Sequence, residues 1–304
     1  MEKVSRFHSP LRYPGGKNRL CNFFSKIVLD NSLKDHYIEP YCGGGAVGLS
    51  LLINGYMKRI TLNDKDLSIY AFWHSMLNKT EELCNAIEKC NLNINEWKKQ
   101  KQIQHNKKNQ DLFKLGFSTF YLNRTNRSGI INSGVIGGIN QNGNYLMNSR
   151  FNKNELIQRI LKIGKMKDQI SLHNEDAMNL IDKINTQNKN ESHIFYFDPP
   201  YYCKGNTLYM NHYKHNDHFF ISNKIKKIEN ASWIVSYDNM EEIKRLYLEY
   251  PSKEFVLNHS ANKSKKGKEI MFFSKDLIQP EIIDYKPTNF KKMSHNKKIV
   301  YKSN

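Results

Sequence analysis

The sequence predicts an α/β fold: a parallel sheet ending in a terminal β-hairpin, interrupted by a basic, mainly helical insertion. Three observations carry that prediction. Residues 37–62 run strand, glycine turn, helix, strand, which is the pattern of a βαβ unit. The same alternation resumes near Ile170 and continues to Phe273. Between the two stretches the charge changes character. Residues 98–167 carry 14 basic side chains against only Asp111 and Glu155, which is two-thirds of the chain's net charge of +18.

Each element follows from its own residues. Arg19 to Leu29 (RLCNFFSKIVL) spaces its apolar residues as a helix does. Tyr37-Ile38-Glu39-Pro40-Tyr41 reads as a short strand entering glycines, Ala46 to Leu52 as a buried helix, and Arg59 to Leu62 as a strand ending at Asn63-Asp64. From Leu67 to Trp97 the pattern is helical, and the basic block follows. Residues 129–147 combine β-branched side chains, five glycines and an Asn142-Gly143 turn, which predicts a glycine-rich hairpin or loop. Ile170 to His173 is the next strand, Ala177 to Ile184 a helix, and Ile194 to Phe197 a strand running into Asp198-Pro199-Pro200-Tyr201. Asp217 to Ile228 reads as an amphipathic helix with Phe219, Phe220, Ile221, Ile225 and Ile228 facing inward. Trp233 to Tyr237 is another strand, and Glu254–Leu257 with Glu269–Phe273 form the closing hairpin. The domain scheme is therefore a discontinuous sheet domain (1–70 and 166–285), a basic insertion (71–165) and a Lys-rich tail (286–304).

Composition excludes several classes. At 304 residues the chain can bury a large core, and no stretch is apolar enough to span a membrane. Met1-Glu-Lys-Val-Ser lacks the apolar run of a secretory leader, so none is expected. Five cysteines without a C-x-x-C pair fit a reducing compartment better than a disulfide framework or a zinc site. His212, His215 and His218 have metal-like spacing, but nothing else supports a metal and none is expected. A strongly uneven positive charge points to a polyanionic partner.

Two clusters carry chemistry. Asp198 ends an apolar strand, which puts a carboxylate at the carboxyl edge of the sheet, where open α/β sheets bind ligands. Pro199 and Pro200 stiffen the loop and leave its carbonyls as acceptors, and Tyr201 adds an aromatic face. Acid, carbonyl and ring suit a planar base that bears an amino group. The second cluster is Glu39-Pro40-Tyr41-Cys42-Gly43-Gly44-Gly45, whose glycines let a ligand approach the backbone. Its acidic residue is poor company for a pyrophosphate, while Asp64 lies at a spacing that suits ribose hydroxyls. A nucleoside without phosphates fits best, which favours S-adenosylmethionine over NAD or ATP. Tyr13-Pro14-Gly15-Gly16-Lys17 ends like a P-loop but lacks its first glycine and its Ser/Thr.

These motifs, in this order, resemble the Dam-like DNA adenine-N6 methyltransferases (D12 class, alpha group). The resemblance also takes in Phe120 to Thr125 with Ser128-Gly129, and Tyr209 with Asp217-His218, and spans about residues 8–275. It implies a Rossmann-like S-adenosylmethionine-dependent methyltransferase sheet with the basic insertion as target-recognition domain. It also implies that Tyr13 and Lys17 meet the methionine end of the cofactor, that Asp64 holds the ribose and that Asp176 lies near the adenine. Glu39, Pro40, Gly43, Gly45 and Asp198 complete the expected cofactor site. Catalysis is expected from Asp198, Pro199, Pro200 and Tyr201: an adenine swings out of double-stranded DNA, stacks on Tyr201 and offers its N6 hydrogens to Asp198 and the Pro199 carbonyl.

For DNA contacts the sequence offers Arg124 and Arg127, then Asn123 and Asn126, with Lys98, Lys99, Lys101, Lys107 and Lys108 on phosphates. The GATC-reading hairpin of the family carries Asn-Gly-Leu-x-Arg-Tyr. Here the segment reads Arg127-Ser-Gly-Ile-Ile-Asn-Ser-Gly, so that specificity does not transfer. A companion restriction endonuclease of the same site is an expected partner, in the cytoplasm of a bacterium or from a phage. Three alternatives share the scaffold: an RNA adenine-N6 enzyme, a DNA cytosine-N4 enzyme (which usually carries Ser in place of Asp198) and a catalytically silent DNA-binding protein.

Overall fold

The computed structural model describes residues 8–13, 16–185, 191–202, 213–258, 266–283 and 286–287. Pro14, Gly15, Cys203, Tyr209, His212 and the chain beyond 287 lie outside them. Seven strands form one sheet. β1 (His36–Glu39), β2 (Arg59–Asn63), β3 (Ile170–His173), β4 (His193–Phe197) and β5 (Ser232–Asp238) run parallel. β6 (Ser252–Asn258) and β7 (Lys266–Phe273) are the predicted hairpin, and β7 inserts antiparallel between β5 and β6. The order across the sheet is β3-β2-β1-β4-β5-β7-β6. It reverses direction between β1 and β4, and a crevice opens past the carboxyl ends of those two strands.

The sheet is Rossmann-like because both its faces are apolar and both are covered. β4 shows this within four residues: Ile194 and Tyr196 enter one buried cluster, Phe195 and Phe197 the other. The first cluster holds α1 (Cys21–Asp30) and α2 (Ala46–Ile53), where Phe24 packs on Tyr196 with ring centroids 4.5 Å apart. Each such buried ring contributes about 2–3 kcal/mol.

The insertion consists of α3 (Leu67–Asn78), α4 (Thr80–Lys89), α5 (Ile94–His105), α6 (Leu112–Thr125) and α7 (Lys153–Gly164). Four of these five helices start at a capping side chain, α4 being the exception. Asp66 accepts from the Ser68 N–H, Asn93 from Glu96, Asp111 from Phe113 and Lys114, and Asn152 from Glu155. Phe72 on α3 stacks on Phe120 of α6 at 6.0 Å. Both rings belong to the same apolar cluster as Leu62 of β2 and Val47 of α2, so insertion and sheet share one core. Beyond the insertion, α8 (Ala177–Asn185), α9 (His215–Lys226) and α10 (Glu241–Leu246) cover the second face.

Two expectations need correction. Residues 129–147 do not form a hairpin ladder. One isolated bridge joins Asn126 to Val135, and the rest is a series of turns. The Gln141 side chain takes over as the tie, donating to the Ile136 and Gly138 carbonyls and accepting from the Met147 N–H. On α9 the inward face is His218, Ile221, Ser222 and Ile225, whereas Phe219 and Phe220 are 45% and 56% exposed. The helical period of 3.6 sets 218, 221, 222 and 225 on one side and carries 219 and 220 off it.

Candidate active site

The crevice between β1 and β4 is a cleft open to solvent. Its lining comes from Ser9, Leu11, Tyr13 and Gly16 to Asn18 in the described chain, from the loops after β1, β2, β3 and β4, and from Tyr213. Asn63, fully buried at the end of β2, fixes three of these edges. Its amide donates to the Pro40 and Glu175 carbonyls and accepts from the Glu175 N–H. The glycine loop is shaped for close approach. Gly43 has φ +44°, and a Cβ there would come within 2.7 Å of the Tyr13 ring, so only glycine lets Tyr13 lie on that backbone.

Acid groups dominate the lining: Glu39, Asp64, Asp66, Glu175 and Asp198 against Lys17 and Lys65. Asp64 accepts from the Gly43 N–H at 3.0 Å and from the Asp66 N–H at 2.9 Å, and burial pushes its carboxyl up to about 7. Glu39 is pushed up to about 7 by the same cause. Its Oε1 accepts from the Tyr37 hydroxyl and the Gly48 N–H, while its buried Oε2 has no hydrogen-bond partner among the described residues. An orphaned acceptor in an acidic cleft suits a cationic ligand bearing an ammonium group, and it is hostile to phosphates.

At the other end lies a buried cluster around Lys17. Its Nζ is 2.9 Å from Asp198 Oδ1, 3.0 Å from Asp198 Oδ2 and 2.9 Å from the Tyr201 hydroxyl. Glu269 of β7 completes the group. Its Oε1 accepts from the Tyr201 hydroxyl at 2.6 Å and its Oε2 lies 3.5 Å from Lys17 Nζ. Burial raises the Glu269 carboxyl above the usual range, Lys17 opposes the shift and Asp198 adds to it. Asp198 also accepts from the Ser236 hydroxyl at 2.6 Å, and the Tyr196 hydroxyl lies 2.8 Å behind Ser236. The carboxylate is thus held from two sides, by a cation and by a hydroxyl relay.

One family model matches the chain, over residues 13–265: the D12 class N6 adenine-specific DNA methyltransferase. The chain belongs to that family. It is therefore an adenine methyltransferase, and every residue of the cluster from Tyr13 to Asp198 falls within the matched span. No curated protein matches it. Among solved structures it is similar to a Pyrococcus horikoshii protein assigned as an RNA methyltransferase. The TM-score is 0.39 at 11% identity, covering 88% of this chain and 89% of that one, too low to argue from.

Against the sequence expectations, the structure brings Tyr13, Lys17, Glu39, Pro40, Gly45, Asp64, Asp198 and Pro200 to one cleft. Gly43 stands behind the lining, its N–H on Asp64 and its carbonyl accepting from Trp73 Nε1. Asp176 is not among the lining residues. Its carboxylate accepts the Met178 N–H and pairs with Lys65, and its neighbour Glu175 lines the cleft instead. Pro199 is buried beside Pro200. Tyr201 does not offer its ring for stacking in this conformation. It is 2% exposed, because Lys17 and Glu269 hold its hydroxyl in the interior.

The DNA-contact set divides. Arg127 is exposed. Asn123, Arg124 and Asn126 are buried, and each spends its polar atoms on backbone or core groups rather than on the surface. Asn126 accepts from Trp97 Nε1 and donates to the Ile130 and Ile131 carbonyls. Arg124 Nε donates to the Pro10 carbonyl at 2.8 Å. Glu269, Ser236 and Tyr196 went unnoticed in the sequence. Glu269 alone carried a signal, as an acidic residue between a lysine-rich run and the apolar Ile270–Phe273 in a terminal strand.

Proposed function

We propose that the protein transfers a methyl group from S-adenosylmethionine to the N6 amino group of an adenine flipped out of double-stranded DNA, at a specific site. The observation that carries this reading is the position of Asp198. It stands at the carboxyl end of β4 on the wall of the acidic cleft, with Lys17 at 2.9 Å. The residues fit the cofactor by charge: Glu39 Oε2 is a waiting acceptor for an ammonium group, and Asp64 and Glu175 are acceptors for hydroxyl and amino groups. S-adenosylmethionine supplies the transferable methyl on a cationic sulfur.

The chain's own residues position the nitrogen. The N6 hydrogens of the target adenine are donated to the Asp198 carboxylate and the Pro199 carbonyl, which aims the nitrogen lone pair away from both acceptors. As N6 takes up the methyl group it gives up a proton, and Asp198 is the acceptor closest to it. Lys17 and Ser236 hold that carboxylate in place beforehand. Extrusion of the base costs a few kcal/mol. The positive insertion, with Arg127 on its surface, supplies phosphate and base contacts to offset that cost.

Methylation-aware sequencing of DNA from cells expressing the wild-type chain tests the reading. Modified adenine within one recurring motif is expected, with none in cells expressing Asp198→Ala. A genome without modified adenine would overturn it.

A further inference from the structure

The short segment that leads into Tyr13 and Lys17 is gripped by the insertion, and three side chains make the grip. Arg159 of α7 donates from Nη1 to the Ser9 carbonyl at 3.1 Å. Arg124 of α6 donates from Nε to the Pro10 carbonyl at 2.8 Å. Asn123 of α6 does more. Its Oδ1 accepts from the Arg12 N–H at 2.7 Å, and its Nδ2 donates to the Arg12 carbonyl at 2.7 Å. The side-chain amide thus pairs with both backbone groups of one residue, as a neighbouring strand would.

The same Nδ2 also donates to the Gly129 carbonyl at 2.8 Å. Gly129 closes the short turn Arg127–Gly129 that presents the exposed Arg127. Its φ is +76°, and a Cβ there would stand 2.3 Å from the Arg12 carbonyl oxygen, so the two backbones are in direct contact. One buried amide, 1% exposed, therefore joins the turn facing DNA to the residue just before Tyr13. Close-packed junctions of this kind shift between discrete arrangements and do not stretch smoothly, so a change on one side reaches the other.

We infer that Asn123 is a positioning residue that couples DNA binding at the Arg127 turn to cofactor binding by Tyr13 and Lys17. The inference rests on the DNA methyltransferase reading above. By linkage, DNA must tighten the cofactor by the same factor as the cofactor tightens DNA. A purely structural Asn123 would lower stability or weaken both ligands, and would leave that factor unchanged.

The test measures the dissociation constant of S-adenosylhomocysteine with and without a duplex carrying the motif found by sequencing, for wild type, Asn123→Ala and Asn123→Asp. DNA should tighten wild-type binding by about fivefold or more. In Asn123→Ala, which loses all three bonds, the ratio should fall to near one. In Asn123→Asp, which keeps only the bond from the Arg12 N–H, it should fall part of the way. A folded variant with the wild-type ratio overturns the inference, as does a wild type whose two ligands bind independently. A measurement on the wild type alone guards against variants that fail to fold. With no cofactor present, the duplex should slow hydrogen exchange at the Arg12 amide, and unchanged exchange there also overturns the inference. If the wild type binds neither ligand, the function reading itself fails, and that outcome is distinct from independent binding of both.

Discussion

Tyr201 donates its phenolic hydrogen to Glu269 across 2.6 Å, tying the loop after β4 to the antiparallel strand β7. Lys17 stands between Glu269 and Asp198, so two carboxyls share one cation. Neutralising Glu269 leaves Lys17 to Asp198 alone, so the cation has one carboxylate partner in place of two. In Glu269→Gln the hydrogen bond from Tyr201 can persist on Oε1, and kcat for methyl transfer should fall less than in Glu269→Ala. Glu269→Ala should also lose about 1–3 kcal/mol of stability, because the Tyr201 hydroxyl loses a buried acceptor. Equal losses of kcat in Glu269→Gln and Glu269→Ala would show that the tie to Tyr201 does not matter to turnover.

Asp198→Ala removes the acceptor at the reacting nitrogen. Its kcat for transfer of labelled methyl to DNA should fall by about 10²–10³-fold or more. Asp198→Asn keeps the shape but brings an N–H donor against the amino group, and should be as inactive. S-adenosylhomocysteine should still bind both variants, since Glu39, Asp64 and Tyr13 are untouched. Near-wild-type turnover in either variant would remove Asp198 from the chemistry.

The sheet was legible in the sequence because buried parallel strands are short apolar runs. Gly43-Gly44-Gly45 after the first strand and Pro199-Pro200 after the fourth then marked where the runs had to turn. The cleft's first wall was legible for the same reason: Glu39, Asp64 and Asp198 each end a strand, and strand ends meet at one edge. The residues that reach the site across the sheet were not legible. Glu269 arrives on an antiparallel strand paired with β5, where it sits opposite Asp238, a register no local pattern encodes. Asn123, Arg124 and Asn126 were misread for a related reason. Polar residues at the end of a helix in a basic block look like a surface, and only the packing of segment 9–12 against α6 reveals them as buried ties.

Glu39 makes stability depend on pH. Its carboxyl titrates near 7 when folded against 4.5 as the reference, so between those values the folded state holds a proton that the unfolded chain releases. Raising pH through that window takes stability away, by about 1.4 kcal/mol per pH unit at the steepest. Glu39→Gln keeps an acceptor for Tyr37 and Gly48 and does not titrate. Its urea midpoint relative to wild type should therefore rise as pH goes from 4.5 to 7.5. A constant difference across that range would mean Glu39 is ionised throughout.

Arg127 and Asn126 adjoin in sequence but should fail in opposite ways. Arg127 is exposed, so Arg127→Ala should melt like wild type. It should bind duplex DNA more weakly, and the slope of log affinity against log salt should shrink by about one unit if the guanidinium meets a phosphate. Loss of sequence preference with an unchanged slope would assign it to a base edge instead. Asn126 is fully buried, and three groups depend on its amide: Trp97 Nε1 and the Ile130 and Ile131 carbonyls. Asn126→Ala should lower stability by about 1–3 kcal/mol per group left unpaired, with DNA affinity falling only as far as the fold loosens. An Asn126→Ala chain that melts like wild type yet loses DNA would return Asn126 to the DNA-contact set.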